Sequence, residues 1–457
     1  MAIMHNGRAA RRQTMRAIRP QRQGARPLLA MWWAGAIGVM ALWWQNTPVV
    51  HIDLAEWLLG SGRLTGLLGG YTIAVVVLLM ARVPALERRV GSDRVARWHA
   101  MSGRFAVSLV LAHLLLTIGG YSVQANTGLV EQTLVIVLDF PRMIEATVGT
   151  ALLLVIGFIS ARAVRRRMRY EIWYYLHLLT YVAVYLSFWH QLAAGAEFVA
   201  NPTARTLWYV LYGVAGLLLI WYRVLAPIRL NRRHRMRVER TVYESPGVVS
   251  VLITGRRLHR LGAQPGQFFR WRFLTDGLRW SSNPYSLSAA PRPDLLRITV
   301  KANGEHSEAV SRLRPGTRVW AEGPYGAMTA ARRSQEKVLM IAGGAGITPM
   351  RALFETLPGE PGDLTLLYRA SKTEDLALWG ELRQIAAARG ARLLYAVNGP
   401  DGVRPEITPK RLRELLPDID DHDVYVCGPA GLARQSYEAL REAGVPDRRI
   451  HHESFEM

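Results

Sequence analysis

The sequence predicts a membrane-embedded bundle of α-helices followed by a region that changes from antiparallel β-structure to an α/β arrangement. Apolar runs long enough to cross a bilayer continue to about Leu225 and then stop. Short runs of alternating, strand-like character follow between residues 237 and 322, separated by Gly and Pro turns. The last third then alternates strand and helix. These three observations predict the fold class.

Six apolar runs are candidate transmembrane helices, because about 20 apolar residues cross the hydrocarbon core as a helix. They cover residues 28–44, 64–81, 98–121, 144–161, 172–192 and 206–225. Arginines crowd the region before the first run and the connections after the second, fourth and sixth. The positive-inside rule places all of these on the cytoplasmic side. We therefore expect a multi-pass protein of the plasma membrane with both termini in the cytoplasm.

The basic N-terminal region has a second interpretation. Residues 1–27 carry seven arginines and no acidic residue, as a phosphate-binding arm for nucleic acid would. Basic connections that alternate with acidic ones favour the membrane instead. We expect the lipid bilayer as partner and no nucleic acid.

Domain boundaries follow from these composition changes. We expect a basic cytoplasmic arm over residues 1–27, a transmembrane domain over 28–225, a linker over 226–236, a small antiparallel β-barrel domain over 237–330 and an α/β domain over 336–457. The single cysteine, Cys427, lies in the last domain and excludes a disulfide framework.

Four histidines stand out in the third and fifth apolar runs. His99 and His113 are 14 residues apart, and His177 and His190 are 13 apart. At 1.5 Å per residue, the two histidines of each helix are separated by roughly 20 Å along the axis. One histidine from each helix at each level would supply two axial imidazoles, and hence hold two stacked b-type haems. The alternative, four unrelated histidines bonded to neighbouring helices, predicts no matched spacing.

The topology places His99 and His177 at the inner level and His113 and His190 at the outer one. At 100° per residue, the second helix would present its two histidines about 140° apart, so that helix must tilt, bend or use different sides. Arg104 lies inside the third run. Its side chain either extends to the inner face or pairs with a haem propionate.

Two stretches of the β-region suit a nucleotide cofactor. Asn283-Pro284-Tyr285-Ser286 places an extended aromatic before hydroxyl groups, which can lay a ring against a flat heterocycle. Gly304 then turns the chain into a short helix with His306 and Ser307 at its start, a position that suits a pyrophosphate. The alternative is an ordinary helix capped by Ser307 or His306.

The α/β region begins with a buried strand, the glycine loop Gly343–Pro349 and a helix. This order is typical of a phosphate-binding turn, although glycines also serve close packing. Arg369 and Lys372 follow the next strand without an acidic residue, which suits a 2′-phosphate and favours NADPH, with NADH possible. Another strand ends in Cys427-Gly428-Pro429, which we expect to meet the nicotinamide.

The order of these motifs resembles the ferric reductase and NADPH oxidase superfamily, membrane flavocytochromes b in which a six-helix haem domain precedes a ferredoxin-NADP-reductase-like module. The resemblance runs from about Leu28 to the C-terminus. His99-Ala100-Met101-Ser102-Gly103-Arg104 is similar to the His-x-x-x-Gly-Arg start of that helix in many ferric reductases. Asn283-Pro284-Tyr285-Ser286 is similar to the flavin motif Arg/His-Pro-Tyr/Phe-Ser/Thr, with Asn283 as a departure and Arg279 as an alternative contact.

The resemblance implies the following site residues. FAD would contact Asn283, Pro284, Tyr285 and Ser286 through its ring and Gly304, His306 and Ser307 through its pyrophosphate; NADPH would contact Gly343, Gly344, Gly346, Thr348 and Pro349 through its pyrophosphate, Arg369 and Lys372 through its adenosine end, and Cys427, Gly428 and Pro429 through its nicotinamide. Three residues would take part in hydride transfer. They are Ser286 near the flavin N5 edge, Cys427 at the nicotinamide and Phe455 on the flavin face.

The implied function is electron transfer from cytoplasmic NADPH through FAD and the inner and outer haems to an outer acceptor. Because both irons would carry two imidazoles, the acceptor takes an electron at the haem edge, which suits dioxygen or a ferric chelate. No obligate protein partner is implied. The alternative is a non-catalytic membrane sensor that binds haem and nucleotide, or an electron carrier that serves a partner protein.

Overall fold

The computed structural model describes residues 26–47, 53–399 and 405–453, which fall into two compact units. The helical unit lies within Gly24–Val83 and Arg94–Val224. The mixed unit lies within Pro84–Asp93 and Leu225–Met457, apart from the N-terminal residues also assigned to it. Each unit has its own hydrophobic core.

The helical unit contains long apolar helices joined by short ones. They are α1 (Arg26–Gln45), α2 (Leu54–Met80), α4 (Ser92–Ala125), α5 (Leu129–Asp139), α6 (Met143–Ile159), α7 (Arg162–Arg165), α8 (Tyr170–Leu178), α9 (Thr180–Ala194), α10 (Ala196–Ala200) and α11 (Pro202–Ile220); α3 (Pro84–Val90) belongs to the mixed unit. Side chains fix two of the helix starts. Asp53 accepts a hydrogen bond from Glu56 N at 2.7 Å, and Asn201 accepts one from Ala204 N at 3.1 Å.

Four described helices are long and apolar enough to cross a membrane: Arg26–Gln45, Leu54–Met80, Arg94–Ala125 and Pro202–His234. Helices α5 and α6 together would make a fifth span, although they meet at a bend of 116°. The run predicted as the fifth span is divided at Leu179 into α8 and α9, each shorter than a bilayer crossing. The prediction of a helical membrane region is confirmed, and the count of six spans stays a prediction.

Small residues let the helices of this unit approach closely. On α2, a methyl group at Gly66 would lie 2.7 Å from His113 Nδ1, and one at Gly62 would lie 2.8 Å from Thr117 Oγ1. On α6, a methyl group at Gly149 would lie 2.8 Å from the carbonyl oxygen of Ala183 on α9. Such small-residue contacts are typical of helices packed in a membrane.

After α3, the mixed unit continues with α12 (Ala226–His234), which packs against the first of its two β-regions. This region consists of β1 (Arg237–Ser245), β2 (Val248–Thr254), β3 (Phe268–Phe273), β4 (Asn283–Ser286), β5 (Leu295–Lys301) and β6 (Val319–Tyr325), with α13 (Glu305–Ser311) before β6. The strands form two antiparallel sheets in the orders β1-β2-β5 and β4-β3-β6. Single bridges at Arg237–Arg318 and Leu287–Ile298 link the sheets. Closure into a barrel stays a prediction.

The second β-region is a parallel sheet of β7 (Lys337–Gly343), β8 (Leu364–Ala370), β9 (Arg392–Val397), β10 (His422–Cys427) and β11 (Ile450–Glu453), in the order β11-β10-β7-β8-β9. Its helices are α14 (Ile347–Thr356), α15 (Trp379–Arg389), α16 (Pro409–Leu415) and α17 (Ala430–Glu442). The chain starts at β7, adds strands to one edge and then returns to the other. The switch point between β7 and β10 is where open α/β sheets bind ligands.

One buried carboxylate stabilises the parallel sheet. Asp423 on β10 is fully buried and accepts hydrogen bonds from Ser334 Oγ at 3.0 Å, Gln335 N at 2.6 Å and His451 Nε2 at 3.3 Å. Burial opposes ionisation, but the hydrogen bonds outweigh it and hold the pKa of Asp423 below its ordinary value. The carboxylate form therefore stabilises the folded state above about pH 4, and this contribution is lost as the pH falls through the lowered pKa.

We expect Asp423→Asn to lower the free energy of unfolding near neutral pH by about 2 kcal/mol, because it leaves buried donors without a carboxylate. The difference from wild type should disappear in acid. Unfolding is followed during heating by the reaction of the Cys427 thiol with 4,4′-dithiodipyridine, a reagent that also reacts in acid. Cys427 is the chain's single cysteine and is fully buried in the folded state. The exposed Asp420→Asn is the control. A difference that persists unchanged at the lowest pH would contradict this account.

Candidate functional site

The structure brings the four predicted histidines together in two pairs. The rings of His99 and His177 lie with centroids 6.0 Å apart and planes at 82°. His113 lies 14 residues after His99 on α4, and His190 lies 13 residues after His177 on α9. Each pair joins α4 to the α8–α9 segment.

Backbone carbonyls of α2 orient the two histidines of α4. His113 Nδ1 lies 2.8 Å from the oxygen of Gly62, and His99 Nδ1 lies 3.3 Å from that of Val76. A carbonyl oxygen can only accept, so Nδ1 carries the proton in both rings and Nε2 presents its lone pair. A histidine held in this way is typical of a metal ligand.

The histidines of α8 and α9 differ from each other. His177 Nδ1 lies 3.2 Å from Ser160 Oγ. His190 Nδ1 is buried and has no hydrogen-bond partner among the described residues. The helix is divided at Leu179, so that His177 lies on α8 and His190 on α9.

These residues fit a haem. An imidazole nitrogen binds a first-row transition metal at about 2 Å, so two rings on one iron have centroids roughly 6 Å apart. The 6.0 Å between His99 and His177 agrees with this separation. In the described ranges, no group of three or more His, Cys, Asp or Glu side chains could hold a bare metal ion. A pair of imidazoles suits a metal that brings its other ligands with it. Arg104 has an exposed side chain, and its contact with a propionate stays a prediction.

The predicted flavin motif forms β4 in the mixed unit. Tyr285 pairs with Phe269 on β3, and its hydroxyl is hydrogen-bonded to His306 Nδ1 at 3.2 Å, with the planes of the two rings 25° apart. Burial raises the pKa of Tyr285 to about 12, so the phenol stays neutral. Ser286 is buried beside it. The structure therefore brings Tyr285 and His306 together, and Ser286 is the next residue along β4.

The other residues predicted to contact the flavin have partners within the protein. Asn283 and Pro284 stand opposite Trp271 and Arg270 on β3 and are half-buried. Arg279, the alternative flavin contact, pairs with Asp276. Ser307 Oγ accepts from Asn303 N at 2.8 Å and donates to Gly304 O at 2.9 Å. Gly304, with φ of 142°, is the residue that caps α13, so the alternative of a cap at Ser307 or His306 is wrong.

The glycine loop and the end of β10 meet at the switch point. A methyl group at Gly346 would lie 2.0 Å from the carbonyl oxygen of Cys427, and one at Gly428 would lie 3.3 Å from Gly343 N. Gly344 has φ of 54°, a backbone conformation that favours glycine. Thr348 is buried and donates to Ala345 O at 2.8 Å, and Pro349 lies in the first turn of α14. The predicted pyrophosphate and nicotinamide segments thus adjoin.

The remaining predicted residues lie around this point. Arg369 is at the end of β8 and donates to Gln435 Oε1 at 3.3 Å, while the exposed Lys372 pairs with Glu374 at 3.3 Å. Cys427 is fully buried, with Sγ 3.7 Å from Glu453 O. Pro429 precedes α17. Phe455 lies outside the described residues.

An ion-pair cluster that the sequence did not predict joins the two β-regions. Arg297 on β5 holds Glu381 of α15 with two hydrogen bonds of 2.6 and 2.9 Å, and Arg351 on α14 donates to the same carboxylate at 2.8 Å. Arg297 also donates to Ser288 O at 2.8 Å, two residues after β4. Burial would raise the pKa of Glu381, but the two arginines lower it. A planar guanidinium with two bonds to a carboxylate fixes orientation as well as distance.

Two family models match this chain. Residues 65–188 match "Ferric reductase like transmembrane component", and residues 340–437 match "Oxidoreductase NAD-binding domain". The chain is 31% identical over 202 residues to an NADPH oxidoreductase of Mycobacterium tuberculosis, covering 42% of this chain and 52% of that protein. It is 30% identical over 208 residues to a flavohemoprotein of Vibrio cholerae, covering 43% and 52%.

Among solved structures, the FAD/NAD binding domain of a nitric oxide dioxygenase from Vibrio cholerae matches with 27% identity and a TM-score of 0.41, covering 49% of this chain and 99% of that one. The chain spans about half the length of the two curated relatives named above.

We expect Gly346→Ala to weaken dinucleotide binding by roughly 5- to 150-fold, since its methyl group would overlap the Cys427 carbonyl at a cost of about 1 to 3 kcal/mol. Equilibrium dialysis with NADP⁺ measures the effect. Gly380→Ala is the matched control, because nothing lies within 4 Å of its methyl position. Equal affinities for wild type and Gly346→Ala would show that the loop does not need this close approach.

Proposed function

This chain matches the ferric reductase and NADPH oxidase superfamily, with a ferric reductase-like transmembrane domain and an FAD/NAD-binding oxidoreductase domain, and from this premise we propose its reaction. We propose that the protein is a transmembrane NAD(P)H oxidoreductase, which takes electrons from NADPH on the cytoplasmic side and delivers them to an acceptor on the outer face. The acceptor is dioxygen or a ferric chelate. We place the protein in the plasma membrane with both termini in the cytoplasm.

The observation that carries this proposal is the pairing of the membrane histidines. His99 and His177 would hold the inner haem, and His113 and His190 the outer one. The 6.0 Å between the rings of His99 and His177 supports the inner assignment. The carbonyl-held Nδ1 atoms of His99 and His113 support one ligand at each level. When bound, FAD accepts a hydride and the two b-type haems carry single electrons, which is the chemistry the route requires.

The residues of the mixed unit bind and orient the nucleotides. Tyr285 and Ser286 would lie against the flavin, with His306 holding the tyrosine hydroxyl in place. The loop from Gly343 to Pro349 would receive the dinucleotide pyrophosphate at the start of α14. Arg369 and Lys372 would favour NADPH over NADH by contact with the 2′-phosphate. Arg297 and Glu381 hold the two β-regions together around these sites.

The haem irons are not substrate sites in this proposal. Held by His99 and His177 and by His113 and His190, the irons would offer no open position, and an acceptor would have to be reduced without binding to iron. This restricts the acceptor to one that can be reduced by one electron without binding iron. Superoxide formation from dioxygen and reduction of a ferric chelate both meet this condition.

Anaerobic addition of NADPH to the purified protein in detergent tests the proposal. We expect a flavin spectrum, a low-spin haem b spectrum and reduction of both groups. Failure to reduce haem with FAD present would support a non-catalytic sensor instead. Superoxide-dismutase-sensitive cytochrome c reduction, compared with colour from a ferrous chelator, then distinguishes dioxygen from ferric iron. Repeating the reduction with NADH tests the preference for NADPH.

His113→Leu or His190→Leu should remove the outer haem and reduce acceptor turnover to the background rate. NADPH should still reduce the flavin, because these residues belong to the helical unit and the nucleotide residues to the mixed unit. Stopped-flow flavin bleaching and acceptor assays measure the two steps separately. Leu115→Ala, an exposed position two residues after His113, is the control. Full acceptor turnover in either histidine variant would refute the ligand assignment.

A further inference from the structure

The imidazole of His177 contacts a group of side chains from the segment that precedes it. Trp173 on α8 stacks on His177, with ring centroids 5.1 Å apart and planes 24° apart. The guanidinium carbon of Arg165 on α7 lies 4.5 Å from the centroid of the Trp173 ring. Ser160 follows α6 directly. Trp173, Arg165 and Ser160 have no part in the proposed electron route.

Ser160 joins the tryptophan to the histidine. Its Oγ accepts a hydrogen bond from Trp173 Nε1 at 3.2 Å and lies 3.2 Å from His177 Nδ1. A hydroxyl oxygen has two lone pairs and can accept from both nitrogens. In that arrangement Nδ1 of His177 carries the proton and Nε2 is left for a metal. The carbonyl of Val76 imposes the same proton position on His99.

Arg165 adds a permanent positive charge to this group. A guanidinium stays charged at all accessible pH values and is attracted to the face of a tryptophan. A cation near a metal ligand disfavours the more positive, oxidised metal and so raises its reduction potential. The tryptophan fixes the position of this charge relative to His177.

The outer pair has a different environment. His113 Nδ1 is 2.8 Å from a backbone oxygen and 3.4 Å from Thr117 Oγ1, and His190 Nδ1 has no hydrogen-bond partner in the part of the chain that the structure describes. No cation–aromatic contact is found at His113 or His190 among those residues. Substitutions at Ser160, Trp173 or Arg165 should therefore affect a haem at the inner pair and leave one at the outer pair unchanged.

We propose that Ser160, Trp173 and Arg165 are positioning residues for the inner haem: they fix the ring orientation and proton position of His177 and raise the potential of the iron that it binds. This inference rests on the proposed function, since it requires a haem at His99 and His177. A higher inner potential favours the arrival of electrons at the inner haem.

Redox titration of the full-length protein in detergent, followed at the haem absorbance, tests the charge. Arg165→Gln should shift one of two titration waves to lower potential. Arg166→Gln, the next residue in the same connection and exposed, should shift neither. In a His113→Leu background the remaining haem is the inner one, so the single wave should shift with Arg165→Gln.

Electron paramagnetic resonance of the oxidised protein tests the positioning. Ser160→Ala and Trp173→Phe should change one of two low-spin signals and leave the other; Trp173→Phe keeps an aromatic ring while removing the hydrogen bond. Haem content measured on each sample shows that the variants are folded.

The outcomes separate the two proposals. A preparation with haem in which Arg165→Gln, Ser160→Ala and Trp173→Phe leave both waves and both signals unchanged overturns this inference alone. An equal shift in Arg165→Gln and Arg166→Gln also overturns it, because the effect would then be one of net charge. A preparation that takes up no haem overturns the proposed function and this inference with it.

Discussion

An imidazole inside an apolar helix bundle must have its polar nitrogens satisfied, and this constraint organises the helical unit. Helix α2 meets it with backbone oxygens at Gly62 and Val76, which are 14 residues apart like the histidines they hold. Because Gly62 serves His113 and Val76 serves His99, the two helices run antiparallel with matched spacing. Gly66 gives the space that the His113 ring needs. The Nδ1 atoms of His99 and His113 are thereby used within the bundle, and their Nε2 atoms are left for a metal.

The mixed unit meets a different requirement, the close approach of two loops and two β-regions. Gly346 and Gly428 carry no side chain where the glycine loop meets the end of β10, so backbone groups can reach a dinucleotide there. Arg297 and Glu381 join the antiparallel strands to the helices of the parallel sheet. Arg351 shares that carboxylate, so the charge cluster holds three elements in one arrangement. A hydride donor and its acceptor need such a fixed arrangement.

Local patterns in the sequence were sufficient for part of this description. The short β-branched run at 248–254 and the continuous apolar run at 337–342 predicted β2 and β7, since short runs of such residues favour strands by themselves. The spacing of the four histidines predicted two levels, since the rise per residue of a helix is fixed. Gly343–Pro349 was predicted between a strand and a helix, and it lies there.

Other features depend on contacts between distant residues and were not predictable. Glu381 lies 84 residues from Arg297, and no local pattern relates them. The break at Leu179 interrupts a predominantly apolar run that has no proline or glycine to mark it. The role of Ser160 beside His177 depends on how α6 meets α8. The alternative interpretation placed a helix cap at Ser307 or His306, whereas the helix begins directly after Gly304.

The account depends on two pairs of imidazoles, each holding one haem within the helical unit. Pyridine haemochrome analysis of a fully loaded preparation, with protein measured by quantitative amino-acid analysis, counts protohaem per polypeptide directly. The account predicts two protohaems for each chain. A saturated preparation with one protohaem or none would contradict it.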